Sequence, residues 1–400
     1  MEDYTSWVDE HFAADGRDSE GGPEPYPASS AAPLDAAQGG AALLAESEGP
    51  SIEQMLCYAV DHCASDLHLT TGVPPMVRVN GELSPIPGMS PLGSWDTLTL
   101  VRSTMSEQQL KSLEGELEVD FSFGRPGIGR FRVNAFHERG DVSAALRRIP
   151  DEPPHLEDLG LPPAVAGLAE LRTGLVLVTG PTGTGKSTTL AALVDKINRE
   201  RCEHIITIED PIEFVHVHKK SVVQQREVEQ DTRSFARALK SALREDPNVI
   251  LIGEMRDLET IAAAVSAAET GHLVLASLHT GSAVQSIDRI IDVFPPHQQS
   301  QIRLQLSSSL QAVLAQRLIP TVEGPRVCAV ELLLASPAVR NLIREGKTHN
   351  IEQAMQSGIE DGMVLFDMNL ARLVRESHVT RETALSYAND PKGFADRLGW

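Results

Sequence analysis

A glycine-rich segment follows an apolar run and has the composition of a phosphate-binding loop. The run at 175–178 leads into Gly180-Pro-Thr-Gly-Thr-Gly-Lys-Ser187, which fits the pattern G-x-x-x-x-G-K-[ST]. Its glycines allow a tight turn whose backbone N–H groups converge on an anion. Lys186 would place a positive charge beside the β- and γ-phosphates, and the Ser187 hydroxyl could bind Mg²⁺. We expect nucleotide binding by Gly180, Pro181, Thr182, Gly183, Thr184, Gly185, Lys186, Ser187 and Thr188.

Two further apolar runs end in carboxylates. The run at 248–252 leads to Glu254, which we expect beside the Mg²⁺ and its water shell. Another run leads to Glu209, Asp210 and Glu213. Clustered carboxylates raise one another's pKa and can serve as general bases. The residues alone leave all three acids open as the group that polarises the attacking water.

Histidines and arginines complete the candidate site. His272 and His279 bracket a fourth apolar run, and we predict that both sense the γ-phosphate by hydrogen bonding. Phosphoryl transfer also needs cations against the developing negative charge. Those available besides Lys186 are Arg256 and, from an earlier region of the chain, Arg130, Arg132, Arg147 and Arg148. We expect Arg132 and Arg147 to take part in catalysis, in cis across a domain cleft or in trans from a neighbouring subunit.

Strands alternate with helices over residues 164–296. The strands are predicted at 175–178, 204–208, 249–252 and 273–277, and the helices at 188–197, 234–243 and 258–269. Such alternation is typical of a parallel sheet with helices on both faces. Phosphate binding at the carboxyl end of the first strand fits such a sheet. The segment is therefore predicted as an α/β core domain.

The flanking regions differ in pattern. Residues 51–150 are predicted as a small α+β domain with strands at 67–69, 76–79 and 130–135, a hairpin turn at Asn80-Gly81 and a helix from Ser51. Proline-rich residues 151–163 are predicted as a linker. One helical face is predicted for Ile302, Leu306, Leu310, Val313, Leu314 and Leu318, so that residues 297–390 form a helical region and 391–400 a tail.

Composition and charge exclude several classes of protein. The net charge is −21, and residues 1–50 hold 11 acidic groups and one basic group, which predicts a disordered acidic tail. Acidity disfavours nucleic acid as a partner. The four cysteines are scattered, so neither a zinc site nor a disulfide framework is expected. With no apolar run of membrane-spanning length, we expect a cytoplasmic protein that meets the membrane only through partners.

Taken together, these residues resemble the secretion-ATPase superfamily, and within it the type IV pilus retraction ATPases. The resemblance implies a RecA-like core, a PAS-like N-terminal domain, bound ATP and Mg²⁺, a homohexameric ring, and work on an inner-membrane pilus platform protein. It also implies a catalytic role for Glu213. The matching segments are 64–69 and 74–79, the arginine-bearing 130–136 and 147–150, the Walker A loop 180–187, the Asp box 207–214, the Walker B segment 253–257 and the His box 268–280.

Two features favour retraction over pilus extension or secretion. Extension and type II secretion ATPases usually carry a tetracysteine zinc element, which this sequence lacks. Residues 338–344, Ala-Val-Arg-Asn-Leu-Ile-Arg, resemble a signature of the retraction enzymes. The alternatives are an extension, secretion or DNA-transfer motor of the same superfamily, and a ring subunit that binds nucleotide without hydrolysing it. A helicase is disfavoured because no basic or aromatic single-strand platform is evident.

Overall fold

The computed structural model describes residues 51–398 except 151 and 323. The predicted acidic tail, residues 1–50, lies outside the described residues. A six-stranded antiparallel sheet with order β3-β2-β1-β6-β5-β4 forms the N-terminal part. Its elements are α1 (Ile52–Asp61), β1 (Asp66–Leu69), β2 (Met76–Val79), β3 (Glu82–Pro85), α2 (Ser94–Arg102), α3 (Glu107–Glu116), β4 (Glu118–Arg125), β5 (Gly129–Glu138) and β6 (Asp141–Ile149).

The N-terminal sheet packs its apolar face against helices and leaves a polar face outside. Phe131, Val133 and Ala135 alternate along β5 toward a core that includes Met55 of α1 and Val101 of α2. The predicted strands at 67–69, 76–79 and 130–135 fall within β1, β2 and β5. The hairpin expected between β2 and β3 is also present, with positive φ angles at Asn80 (52°) and Gly81 (88°).

The second sheet has seven strands in the order β13-β12-β7-β11-β10-β8-β9. All neighbouring pairs are parallel except β12 with β13. Its strands and flanking helices are α4 (Pro163–Gly167), β7 (Gly174–Thr179), α5 (Lys186–Glu200), β8 (His204–Glu209), β9 (Val222–Glu227), α6 (Phe235–Ala242), β10 (Val249–Ile252), α7 (Leu258–Glu269), β11 (Leu273–Leu278), α8 (Ala283–Asp292), α9 (Gln299–Ser309), β12 (Leu310–Ile319) and β13 (Val327–Leu334).

Helices cover both faces of this sheet, as predicted. Leu175 and Leu177 of β7 pack in one cluster with α7, α8 and α9, whereas Val176 and Val178 pack in another with α5. The alternation of one strand between two cores explains why its sequence is uniformly apolar. The mixed α/β class predicted from the sequence is confirmed.

The predicted helical stripe is wrong from Leu310 onward. Ile302 and Leu306 lie on α9, but Leu310, Val313, Leu314 and Leu318 lie on β12, which pairs in parallel with β7. This strand is buried on both faces, so its sequence lacks the period-two pattern that marks a half-buried strand. Its conformation is set by pairing with β7 and not by its local pattern. The adjoining β13 is a second strand within the region predicted as helical.

The remaining C-terminal elements are helices. The segment predicted as a tail, 391–400, contains a helix over most of its length. Within the predicted linker, the 3₁₀ turn Leu156–Leu159 buries Leu156 against the core. The described residues contain no helix long and apolar enough to cross a membrane. The last helices are α10 (Pro337–Glu345), α11 (Ile351–Ser357), α12 (Phe366–Arg375), α13 (Arg381–Tyr387) and α14 (Pro391–Leu398).

Candidate nucleotide site

The glycine-rich loop joins the interior strand β7 to α5, as its sequence predicts. Its backbone bends through positive φ angles at Gly180 (146°), Gly183 (78°) and Gly185 (86°). A Cβ atom on Gly180 would collide with the Gln316 carbonyl oxygen and with Oγ1 of Thr184. Glycine is therefore required at this position both by conformation and by space. The loop ends where α5 begins, so the positive end of the helix points at whatever the loop holds.

Lys186 is buried beneath this loop, with 8% of its surface exposed. Its Nζ atom donates hydrogen bonds to the Gly180 carbonyl at 2.9 Å and the Pro181 carbonyl at 3.0 Å. Burial lowers the pKa of the ammonium, and the negative charge of Glu254 opposes that shift. The loop thus orients a cation whose position suits a phosphate group.

A cavity of about 750 Å³ opens beside the loop. The loop contributes Thr182, Gly183, Gly185, Lys186, Ser187 and Thr188 to its lining. The other polar groups that sequence analysis singled out there are Glu209, Asp210, Glu213, Glu254, Arg256, His279, Arg147 and Arg148. Gly180 and Pro181 belong to the loop but not to the cavity lining, and their carbonyls accept hydrogen bonds from Lys186. Thr184 lines a neighbouring cavity of about 560 Å³, and Arg326, which sequence analysis missed, lines both.

Glu254 lies just past the end of β10, between Arg256 and His279. Arg256 donates from Nη2 to Oε2 at 2.7 Å, and Nε2 of His279 lies 3.1 Å from Oε1. Burial raises the pKa of Glu254, but the hydrogen bonds and charges of Arg256 and His279 outweigh it, so the pKa falls below its ordinary value. The carboxylate is consequently ionised at neutral pH in the cleft.

The three acids after β8 have different surroundings. Glu209 is half-buried and accepts hydrogen bonds from Oγ1 of Thr207 at 2.6 Å and Nε2 of Gln225 at 3.1 Å. Burial raises the pKa of Glu209 in spite of these bonds. Asp210 and Glu213 are exposed and line the cavity. Glu209 is thus engaged within the fold, whereas Glu213 presents its carboxylate toward the cleft.

The two predicted histidines lie at opposite ends of the strand β11. His279 follows β11 and reaches the loop, where Nδ1 lies 3.5 Å from Oγ1 of Thr182. His272 precedes β11, and its carbonyl accepts from the backbone N–H of Gly174 at the start of β7. The six residues of β11 separate the histidines by about 20 Å along the strand. The expectation that both sense one phosphate is therefore wrong within a single chain.

The predicted arginines are likewise divided. Arg147 lines the cavity, and its Nε donates to Oδ1 of Asp66 at 2.8 Å. Arg132 is exposed and lies opposite Arg147 on the outer face of the N-terminal sheet, outside the cavity lining. Arg130 forms an ion pair of 2.8 Å with Glu227 of β9. The N-terminal sheet therefore contributes cations both to the cleft and to a face beside it.

The donors in the cleft fit a hard cation such as Mg²⁺. The Ser187 hydroxyl and the ionised Glu254 carboxylate line one cavity, and Mg²⁺ prefers oxygen ligands. Residues 51–398, as far as they are described, contain no group of three or more His, Cys, Asp or Glu side chains that could hold a metal ion by themselves. A magnesium ion here would accordingly need phosphate oxygens and water to complete its shell.

Known proteins resemble this chain over most of its length. Residues 128–387 match the family described as type II/IV secretion system protein. The chain is 49% identical over 343 residues to the type IV pilus retraction ATPase PilT of Pseudomonas aeruginosa, covering 86% of this chain and 99% of that protein. A twitching motility protein of Neisseria gonorrhoeae is 49% identical over 322 residues, covering 80% and 86% of the two chains. The crystal structure of the pilus retraction motor PilT with bound ADP superposes with a TM-score of 0.80 at 49% identity, covering 86% of this chain and 98% of that one.

Proposed function

The chain belongs to the type II/IV secretion system protein family and is an ATPase of that family, and we propose that it is a motor for type IV pilus retraction. The observation that carries this proposal is the extent of the similarity, which spans nearly the whole length of a retraction ATPase. The matching part includes the loop, the carboxylates and the arginine-bearing strand β6, which line the cleft. If only the ATPase core were similar, the lining residues contributed by the N-terminal sheet would lie outside the similarity.

The proposed reaction is hydrolysis of the bond between the β- and γ-phosphates of ATP. The loop from Gly180 to Thr188 would bind the phosphates through its N–H groups, with Lys186 as the buried cation. Mg²⁺, when bound by Ser187, would neutralise phosphate charge. We assign Glu213 to polarise the attacking water, since it is exposed in the cleft and close enough in sequence to Glu209 to be held by the same turn.

The groups around Glu254 complete this assignment. Glu254 would order the water shell opposite the loop, and its ionised state suits that role. His279 touches both Glu254 and Thr182, so it can respond to a phosphate at the loop. Arg147 would stabilise the charge that develops in the transition state. For Arg132 and His272, which lie away from this chain's own cleft, we propose contact with a neighbouring subunit.

The proposal includes assembly and partners. We propose a homohexameric ring at the inner face of the cytoplasmic membrane, acting on a pilus platform protein and not on nucleic acid. We propose that the chain is divided into a tail at 1–50, an N-terminal domain at 51–150 that contacts the nucleotide, a linker at 151–163, the ATPase core at 164–296, and a C-terminal region at 297–390 followed by a tail at 391–400. The cleft supports the role given to the N-terminal domain, because residues from both the N-terminal sheet and the core sheet line it.

The proposal is tested in the native host. A deletion strain would be complemented with the wild-type protein or with Glu254→Gln, and pili per cell and twitching would be measured. We expect many static pili in the deletion strain and rescue of twitching by the wild type alone. A deletion strain without pili would assign the protein to extension, and full rescue by Glu254→Gln would show that hydrolysis at this cleft does not drive retraction.

A further inference from the structure

The loop that carries Glu213 is held by side chains of the neighbouring edge strand β9. Val223, Gln225 and Glu227 share one face of this strand, because strand residues two apart point the same way. Val223 packs into the core cluster that includes α5. Gln225 and Glu227, further along the same face, turn to the loop after β8. Glu213 lies between the loop positions that these two side chains contact.

Gln225 contacts the loop at two backbone groups. Its Oε1 accepts from the N–H of His216 at 2.7 Å, and its Nε2 donates to the carbonyl of Phe214 at 2.9 Å. The same Nε2 atom lies 3.1 Å from Oε1 of Glu209, at the other end of the loop. One amide therefore ties both ends of the segment that contains Glu213.

Glu227 contacts the loop from the other side of Glu213. Its Oε2 accepts from the N–H of Ile212 at 3.3 Å, while Oε1 accepts from Nε2 of Gln230 at 2.7 Å. Only 3% of Glu227 is exposed, so its charge needs a partner. That partner is Arg130 of the N-terminal sheet, which donates from Nη2 to the same Oε2 atom at 2.8 Å.

These contacts place a single oxygen atom between two parts of the molecule. Oε2 of Glu227 joins the guanidinium of Arg130 to the backbone beside Glu213. We propose that Gln225 and Glu227 are positioning residues that hold Glu213 in the nucleotide cleft, and that Arg130 makes this hold depend on the placement of the N-terminal sheet. The inference rests on the proposed hydrolytic role of Glu213 and adds a route by which domain placement controls it.

The first test is Glu227→Gln in the full-length protein. The amide still offers an oxygen to the N–H of Ile212, but it loses the charge that pairs with Arg130. We expect kcat for ATP hydrolysis to fall about tenfold while the Kd for ADP changes less than about twofold, because no group of the phosphate loop is altered. Glu229→Gln, an exposed acid two residues away, is the matched control and should leave both values unchanged.

The second test separates positioning from general damage. In a Glu213→Gln background, Glu227→Gln should lower the single-turnover rate by less than about twofold, because the group being positioned is already gone. Arg130→Gln should reproduce the effect of Glu227→Gln, and the two together should be no worse than either alone. Arg130→Lys should restore part of the rate.

Each outcome decides between the two hypotheses. Normal turnover by Glu227→Gln, or losses that multiply with Glu213→Gln, overturns the positioning role while leaving the proposed ATPase intact. Full turnover by Glu213→Gln alone refutes the catalytic assignment on which the inference rests. If Glu227→Gln loses its thermal unfolding transition, Arg130→Gln carries the same measurements, since that side chain is partly exposed.

Discussion

Nε2 of His279 lies 3.1 Å from Oε1 of Glu254, while the second oxygen of that carboxylate accepts from Arg256 at 2.7 Å. The strand ends of β10 and β11 thus meet in a three-residue network beside the phosphate loop. Because Nδ1 of the same imidazole faces Thr182 of the loop, the ring spans the distance from the loop to the carboxylate. If the loop binds phosphates, as we propose, a change there would reach Glu254 through one side chain.

Glu254→Gln tests the role of this carboxylate. The amide has nearly the same shape and retains one oxygen, but it lacks the negative charge to which we assign the ordering of the water shell. We expect ATP hydrolysis to fall by about a hundredfold or more, with ADP affinity and oligomeric state preserved. Phosphate release, ADP binding and light scattering measure the three quantities. Glu360→Gln, at an exposed position, should match the wild type, and normal turnover of Glu254→Gln would contradict the assignment.

Lys186→Ala tests the phosphate loop itself. The substitution removes a buried cation whose hydrogen bonds hold it beneath the loop. A charge-assisted contact with a phosphate would be lost, so ADP should bind about ten- to a hundredfold more weakly and turnover should also fall. Calorimetric titration with ADP gives the affinity. The exposed Lys220→Ala serves as control, and an unchanged affinity in Lys186→Ala would rule out the loop as the phosphate site.

His216 predicts a dependence of stability on pH. Burial lowers the pKa of this imidazole from an ordinary 6.5 to about 4, against the charge of Asp195, which raises it, and with that of Lys219, which lowers it further. The unfolded chain takes up the proton more readily than the folded protein, so acidification from pH 6.5 toward 4 favours unfolding. The full effect approaches about 3 kcal/mol in the free energy of unfolding.

His216→Leu should remove this dependence. Nδ1 of His216 is buried and has no hydrogen-bond partner among the described residues, so an apolar side chain forfeits little there. Urea unfolding at pH 7 and pH 4.5 should show a smaller loss of stability on acidification in the variant than in the wild type. His349→Leu, at an exposed position, should behave as the wild type. An equal loss in all three proteins would show that His216 is not the titrating group.

The segment 338–344, which resembles the retraction signature, contains one arginine that we expect to stabilise the fold, Arg340, and one that we expect to contribute little, Arg344. Its guanidinium donates to the carbonyls of Ala335 at 2.9 Å, Ser307 at 2.9 Å and Ser308 at 2.8 Å, and to Oε1 of Gln311 at 3.0 Å. Two of these carbonyls belong to the last turn of α9, which has no helical partners for them. Arg340→Ala should therefore lower the free energy of unfolding by about 2–4 kcal/mol.

Arg344 is the matched control for that substitution. It lies one helical turn further along α10 and is exposed. Arg344→Ala should change the free energy of unfolding by less than about 0.5 kcal/mol, as surface substitutions usually do. Urea titration of both variants measures the difference. Equal stabilities would mean that the four hydrogen bonds of Arg340 contribute nothing net to the fold.

The strands of the core were predictable wherever the sequence marks both their ends. The run before Gly180 stops at a loop with a chemical signature, and the run before Glu254 stops at charge. The run from Leu310 has no such marker, because α9 passes directly into β12 without a turn. Leucine and valine residues spaced by three and four along a strand buried on both faces imitate a helix.

The site was predictable for groups that follow the carboxyl end of a recognisable core strand, such as Glu254 and His279, and not for groups placed elsewhere. His272 and His279 are close in the sequence, yet one lies at the amino end of β11 and the other at its carboxyl end, so the length of the strand separates them. Gln225 and Glu227 carry no motif at all. Their contact with the Glu213 loop arises only because β9 pairs beside β8, a register that single-sequence patterns do not specify.

The position of β7 has a consequence for how the protein is made. This strand carries the phosphate loop, yet its partners are β11 and β12, and Leu175 pairs with Leu310. A ribosome must therefore translate well past the loop before the strand that supports it has both neighbours. Contacts so distant along the chain slow folding, and a nascent chain halted before β12 exposes an unpaired apolar edge. Truncated products of this gene should aggregate, and nucleotide binding should be one of the last properties that the growing polypeptide acquires.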